Sequence, residues 1–257
     1  SPEQGNDAYA YESLTHPVTL NTYYIGETEV TQALWTAVMG SNPSYFQGDS
    51  LPVERVSWNE VQEFITKLNQ LTGKQFRLPT EAEWEFAARG GKESHGYKYS
   101  GNSFPAAVAI YKEPKTNTVG SKSPNELGLY DMSGNVFEWC SDWYGNYESG
   151  IQANPQGPSS GTYRVLRGGC WDCEVKTCRV YYRYNSEPDK RSNSIGFRLV
   201  FGCNLVTAIN AEVDQRESFE EYVAPEIEED EEVEQEIFQI VEEMPSFPGG
   251  EVKMMEY

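Results

Sequence analysis

Helical patterning in this chain of 257 residues stops at Gly90-Gly91, and this boundary constrains the fold more than any other feature. Before it, three segments place apolar residues three and four positions apart, as one buried helix face requires. From Gly91 to Phe201 that spacing is absent, and short strand-like runs alternate with clusters of Gly, Asn, Pro and Ser. Because helices come first and short strands follow, the sequence predicts an α+β domain with a small twisted sheet and long loops.

Each predicted helix carries its own start signal. The first, TQALWTAVMG, begins after Thr31 as N-cap. The second, SWNEVQEFITKLNQLTG, has Ser57 and Glu60 at the spacing of a capping box, and PTEAEWEFAARGG repeats that device with Thr80 and Glu83. Strands are expected in runs such as RVLRGG and GFRLVF.

The net charge of −20 is concentrated towards the C-terminus. Residues 1–211 contain 23 acidic and 18 basic side chains, whereas residues 212–257 contain 17 and 2. Without a basic patch, we expect no binding to nucleic acid, because Lys and Arg supply most of that affinity. No apolar run reaches the ~18 residues of a membrane span. We predict a domain over 1–210, an acidic flexible linker over 211–236 and a separate segment over 237–257.

Three of the five cysteines lie within nine positions, in RGGCWDCEVKTC. Cys170, Cys173 and Cys178 are consistent with a soft-metal site or with small buried side chains. In an oxidising compartment they also allow a Cys173–Cys178 or Cys170–Cys178 disulfide. Cys140, flanked by two tryptophans, is expected in the core, and Cys203 has no evident partner.

A second candidate site is the segment YDMSGNVFEW, where Asp131 and Glu138 are seven residues apart. Gly134 and Asn135 between them allow a tight turn that could bring both carboxylates and some backbone carbonyls together, and such oxygen atoms are what calcium binds. The alternative is a structural turn in which Glu138 bonds to backbone or pairs with an arginine.

Six segments resemble, in order, the motif blocks of the formylglycine-generating enzyme (sulfatase-modifying factor) family. They cover roughly residues 17–201 and are YYIGETEVTQALW, LPVERVSWNEVQEF, FRLPTEAEWEFAARGG, NELGLYDMSGNVFEWCSDWY, YRVLRGGCW and IGFRLVF. The resemblance implies a C-type-lectin-like fold, with the family's opening strand missing before Ser1. The last segment, VEEMPSFPGGEVKMMEY, resembles the start of a TonB-type C-terminal domain, which implies a bacterial cell-envelope location, periplasmic or on the surface.

The resemblance also implies ligand sets. One structural calcium would be held by the side chains of Asp131 and Glu138 and by the carbonyls of Gly134 and Val136. Enzymes of the family that oxidise a substrate cysteine to formylglycine bind copper(I) through two cysteines.

Two ways of aligning the cysteines with those enzymes disagree. Counted forward from Gly168-Gly169, the copper positions are Cys173 and Cys178, and Cys170 falls where the enzymes commonly have Ser. Counted backward from the Arg179 and Arg183 strand, Cys178 falls where the enzymes have an aromatic residue. The registers differ by three residues, so the sequence leaves the copper site open.

Three functions are therefore compatible with the sequence. The first is a copper-dependent oxidoreductase that generates formylglycine in a sulfatase-type peptide. The second is a non-catalytic module that binds a peptide, protein or glycan through variable loops, and the third is an envelope scaffold. With two histidines in the chain, a three-histidine iron site is excluded. The residues expected at a ligand surface are Trp171, Asp172, Glu174 and Tyr184, together with those of Tyr181 and Tyr182 that are not in the core.

Overall fold

The computed structural model describes residues 16–202 and a two-residue strand near the C-terminus. The predicted linker over 211–236 lies outside the described residues, as does the segment over 237–257 apart from that strand, so these assignments stay predictions. The helices are α1 (Gln32–Met39), α2 (Trp58–Thr72), α3 (Glu81–Ala88) and α4 (Pro105–Val108). The strands are β1 (Val18–Leu20), β2 (Tyr23–Ile25), β3 (Phe76–Arg77), β4 (Phe137–Trp143), β5 (Gln152–Ala153), β6 (Arg164–Arg167), β7 (Tyr184–Ser186), β8 (Ile195–Gly196), β9 (Val200–Gly202) and β10 (Val252–Lys253).

The three predicted helices are confirmed, each with its expected N-cap. Ser57 and Thr80 both close complete capping boxes, since their side chains accept the N–H of Glu60 and Glu83 while those carboxylates accept the N–H of the cap residue. The one-turn helix α4 and two 3₁₀ turns lie in the region where no helix was expected. No helix within the described part of the chain is long and apolar enough to cross a membrane.

The strands form three small sheets, in the orders β10-β1-β5, β2-β9-β3 and β7-β6-β4-β8. The run RVLRGG supplies β6, as predicted, but GFRLVF is divided between β8 and β9, which belong to different sheets. Between them, the carbonyls of Phe197 and Leu199 accept the N–H groups of Val30 and Gly26, both at 2.9 Å. The α+β class is confirmed, and one predicted strand is in fact a crossing between two sheets.

Buried arginine–carboxylate pairs join elements that are far apart in sequence. Arg183 binds Glu81 at the start of α3 through Nε and Nη2, at 2.6 and 2.7 Å. Arg167 on β6 pairs with Glu85 of the same helix. Since breaking a buried pair leaves an uncompensated charge, these contacts specify how α3 lies on the sheet.

One buried carboxylate in this region has no such pair. Asp142 on β4 is 4% exposed, and its Oδ2 accepts the Glu81 N–H at 2.9 Å and the Ser141 hydroxyl at 3.1 Å. Burial, and then the negative charge of Glu81, raise the pKa of Asp142 to about 7. The pKa of an unfolded Asp is about 3.9, so the folded state binds the proton of the Asp142 carboxyl group more tightly than the unfolded chain does. Protonation of Asp142 contributes its full stabilisation below the pKa of the unfolded chain, and this contribution is lost as the pH rises through the pKa of the folded protein.

Replacing Asp142 with Asn should therefore stabilise the domain at high pH. We expect the free energy of unfolding at about pH 8 to rise by up to about 3 kcal/mol, with little change at about pH 4. Urea unfolding at the two pH values measures this, with the exposed Asp49→Asn as control. Equal effects at both pH values would contradict the expectation.

Candidate functional site

The predicted calcium ligands lie on a turn with unusual backbone geometry. Asp131, Gly134 and Asn135 have φ values of 59°, 94° and 63°, all in the left-handed region. A Cβ at Gly134 would overlap the carbonyl group of Ile110, so glycine is required there. The turn is fixed from outside, because the Asn135 N–H donates to the Ile110 carbonyl at 3.0 Å.

Asp131 points one oxygen at a donor and leaves the other without one. Its Oδ2 accepts the Gly120 N–H at 2.7 Å. Its Oδ1 is buried and has no hydrogen-bond partner among the described residues. Burial raises the pKa of Asp131 to about 6, and the charge of Glu138 adds to this against the opposing effects of the Gly120 N–H and Arg198. A buried acceptor without a donor is a position where a cation is stabilising.

Glu138 is occupied by protein donors. The side chain is fully buried. Arg198 binds it through Nε at 2.6 Å and Nη2 at 2.7 Å, and the Trp84 indole N–H donates to Oε2 at 2.6 Å. The arginine pairing considered as the structural alternative is therefore present. Oε1 accepts one of these bonds, so it keeps a lone pair for a further partner.

Glu29 is a third carboxylate at this turn, and the sequence analysis missed it. It is buried, and its two oxygens accept the Asn135 side-chain amide at 3.0 Å and the Val136 N–H at 3.3 Å. Burial, followed by the charges of Asp131 and Glu138, raises the pKa of Glu29 well above its usual range. Three buried carboxylates thus face the one guanidinium of Arg198 here, so the turn carries an excess of acid that a divalent cation would neutralise.

The cysteines pair differently from expectation. The structure joins Cys173 to Cys170 in a disulfide with a Cα–Cα distance of 5.1 Å, whereas Cys178 and Cys140 are buried free thiols. Neither disulfide considered from the sequence is formed. The expected copper pair of Cys173 and Cys178 is not available in this oxidation state either, because one of its sulfurs is already bonded.

Cys178 packs as a core residue. It lies with Tyr99, Val108 and Ala109 in a small apolar cluster. Burial raises the pKa of its thiol to about 12, although hydrogen bonds from Thr177 and the Cys170 backbone oppose this. Copper(I) binds thiolates, and with Cys173 in the disulfide the described pair offers one thiol, Cys178, in place of two. The core position agrees with the backward register, in which Cys178 directly precedes the arginine strand.

Several loops converge on Trp171, and we call this surface the Trp171 face. The indole N–H of Trp171 donates to the Asn193 carbonyl at 2.9 Å, and the ring meets Phe46 edge-to-face at 5.2 Å. The Glu113 N–H donates to the Trp171 carbonyl at 2.7 Å. The Trp171 N–H donates to the Asn135 carbonyl at 2.8 Å, which links the face to the calcium turn. The face consists of loops 44–48, 111–115, 170–176 and 187–194.

The residues predicted for a ligand surface separate into three groups. Asp172, Glu174 and Tyr184 are exposed, and Tyr184 stacks on Phe137 with ring centroids 5.2 Å apart. Trp171 is half-buried and supports the loops. Tyr181 is buried and Tyr182 half-buried against the core, so Tyr181 drops out of the proposed aromatic surface.

Comparison with known proteins identifies the domain. The sulfatase-modifying factor enzyme 1-like domain family matches residues 3–202. "Chaperone protein LppX" of Paenibacillus barcinonensis is 34% identical over 236 residues, covering 71% of this chain and 81% of that protein. The formylglycine-generating enzyme of Streptomyces coelicolor is 36% identical over 203 residues, covering 71% and 63%. Other curated relatives are much longer, and the chain spans 24% of one of them.

A solved structure gives the same answer for the fold. "Treponema denticola variable protein 1" superimposes with a TM-score of 0.69 at 37% identity, covering 72% of this chain and 86% of that one. This confirms the lectin-like α+β fold expected from the motif blocks. The relatives include enzymes and proteins named for other roles, so membership alone does not fix the activity. The chain belongs to the sulfatase-modifying factor (formylglycine-generating enzyme) family.

Proposed function

We propose that this domain is a non-catalytic binding module of its family, which presents the Trp171 face to a protein or glycan ligand outside the cytoplasm. The observation that carries the proposal is the state of the cysteines. Cys173 is bonded to Cys170, and Cys178 is buried with a raised pKa. A disulfide of this kind persists in oxidising compartments, which agrees with a periplasmic or surface location.

The enzyme alternative needs two thiolates aimed at one copper ion. Here the residue that would supply the second thiolate lies in the core beneath Gly169, where an added Cβ would come within 2.8 Å of the Cys178 sulfur. Such close packing leaves no room for a metal between Gly169 and that sulfur. The exposed polar residues of the Trp171 face, by contrast, are free to vary without disturbing the core.

Thiol labelling tests the cysteine assignment. In the folded protein, iodoacetamide should label neither Cys140 nor Cys178, because burial keeps both as protonated thiols. Peptide mapping should recover Cys170 and Cys173 as one disulfide-linked peptide, and denaturation should expose Cys140 and Cys178 to the reagent; Cys203 lies outside the described residues and is mapped separately.

An activity assay should agree with the labelling. With copper(I), oxygen and a sulfatase-type cysteine peptide, mass spectrometry should find no formylglycine, while a catalytically active family member converts the same peptide. Copper-protected labelling of Cys173 and Cys178 together with peptide conversion would establish the enzyme instead.

We also propose that calcium stabilises the turn beneath the Trp171 face. Asp131 Oδ1, the carbonyls of Gly134 and Val136, and the remaining lone pair of Glu138 would be its ligands. Support comes from the buried, unpartnered Asp131 oxygen and the excess of carboxylates over guanidinium. Because Asn135 bonds to both Glu29 and Trp171, a calcium-ordered turn would also order the ligand face.

Thermal unfolding in EGTA and in calcium tests this site. Calcium at 100 times its Kd should stabilise the protein by about 2.7 kcal/mol, and Asp131→Ala should abolish that increment. In EGTA the variant should be less stable than the parent, because Ala is strained at the positive φ of this position and the Gly120 N–H loses its acceptor, so the calcium increment is the quantity compared. Asp49→Ala is the control and should retain the full response. An unchanged calcium response in Asp131→Ala would remove this residue from the site.

Ligand selection tests the Trp171 face. Binders chosen from a displayed peptide library or from a glycan array should lose affinity at least tenfold in an Asp172→Ala, Glu174→Ala double variant, since both residues are exposed on loop 170–176 of the face. Glu63→Ala, on the outer face of α2, should bind normally. Binders that are insensitive to this double variant would place ligand binding on another surface.

A further inference from the structure

A cleft of about 240 Å³ lies between the start of α3 and the chain that follows β4. Glu81, Asp142 and Arg183 contribute its polar lining, and Trp143, Tyr147 and Tyr181 its aromatic lining. The cleft shares no residue with the calcium turn or with the Trp171 face. It is therefore a separate concavity, with its own balance of charge.

The cationic groups of the cleft already have partners. Arg183 binds both oxygens of Glu81, at 2.6 and 2.7 Å, and donates its remaining Nη1 to the Gly145 carbonyl at 3.0 Å. Arg89 binds Glu85 through Nε at 2.9 Å and Nη2 at 2.8 Å. Neither guanidinium leaves a charge uncompensated for an anionic ligand.

Asp142 is in the opposite situation. Its Oδ2 accepts two hydrogen bonds, from Glu81 and Ser141, while its Oδ1 accepts none from the described residues. Asp142 is 4% exposed, and it lines the cleft. The nearby guanidinium of Arg164 is held elsewhere, stacked between Trp58 and Trp143 at 3.7 and 3.5 Å from the ring centroids. Asp142 is thus a buried carboxylate of the cleft that has no paired cation among the described residues, whereas Glu148, which also lines the cleft, is exposed.

Surrounding groups strengthen the attraction that this carboxylate exerts. The Tyr147 hydroxyl donates to Glu81 at 3.1 Å, which holds the Tyr147 ring in the lining of the cleft beside the Arg183–Glu81 ion pair. Aromatic and proline walls exclude part of the water, and charges interact more strongly in such surroundings than in bulk solvent. The raised pKa of Asp142 has the same origin, and a bound cation would lower it.

We propose that this cleft binds a primary ammonium group, presented by a lysine side chain of a partner polypeptide, with its charge at Asp142 Oδ1. The methylene stem of lysine suits the aromatic walls, and the ammonium offers the hydrogen-bond donors that Oδ1 lacks. The fifteen residues before His16, which also lines the cleft, contain neither Lys nor Arg. Those fifteen residues therefore supply no such side chain.

Calorimetric titration with Nα-acetyl-lysine amide tests the proposal. We expect saturable binding with a Kd of about 1 mM, equivalent to about 4 kcal/mol, and no binding of the neutral Nα-acetyl-norleucine amide. Asp142→Asn should weaken binding at least tenfold. The exposed Asp49→Asn should bind like the parent. Absence of saturable lysine binding, or equal binding by Asp142→Asn and the parent, would overturn the site.

Two further arms identify the source of the ammonium group. Butylamine should bind more weakly than the lysine derivative if the site recognises a polypeptide side chain, and equal or tighter binding would assign it to free amines. An Arg216→Gln, Lys253→Gln double variant should bind as the parent does, whereas tighter binding would mean that the chain's own tail competes. Circular dichroism checks folding, and at about pH 8 Asp142→Asn is expected to be the more stable protein. The result does not depend on the function of the Trp171 face.

Discussion

The buried guanidinium of Arg198 is the contact on which the arrangement of this domain most depends. Besides Glu138, it binds the carbonyls of Gly26 at 3.0 Å, Glu27 at 3.3 Å and Tyr130 at 2.9 Å. In a fold with so little regular structure, buried loop carbonyls need donors from side chains. One arginine supplies them to two separate segments, residues 26–27 and residue 130, while neutralising the carboxylate on β4. Loss of either charged partner would cost about 3–5 kcal/mol, although replacing the whole pair need not.

Features fixed by neighbours in sequence could be predicted, and those fixed across the fold could not. Ser57 and Glu60 are three residues apart, so their spacing in the sequence predicts a capping box. Glu29 is 106 residues from Asn135, its hydrogen-bond partner. Its local signal is an acid in the run GETEV, where Glu27 gives the same signal two residues earlier, and an exposed residue would also give it. The run GFRLVF misled for a related reason, since its pairing partners belong to two different sheets.

The pairing of the cysteines is a second feature that sequence spacing could not predict. Both sequence registers concerned Cys173 and Cys178, because those are the positions at which the enzymes carry copper. The disulfide instead closes on Cys170, three residues before Cys173. Cys178 stays a free thiol because its side chain is buried in the core, where it packs beneath Gly169 and against Val108. Spacing along the chain carries no information about that packing.

The position of Asn135 explains how a rigid turn can serve a surface made of loops. Its side chain bonds to Glu29, its N–H to the Ile110 carbonyl, and its own carbonyl to Trp171. Ordering the turn therefore restricts the base of the Trp171 face directly, whereas the exposed residues Asp172 and Glu174 lie beyond these bonds and tolerate change. Loop sequence can vary on such a face without loss of the fold, because the bonds that define the base come from backbone atoms and from residues of the buried framework.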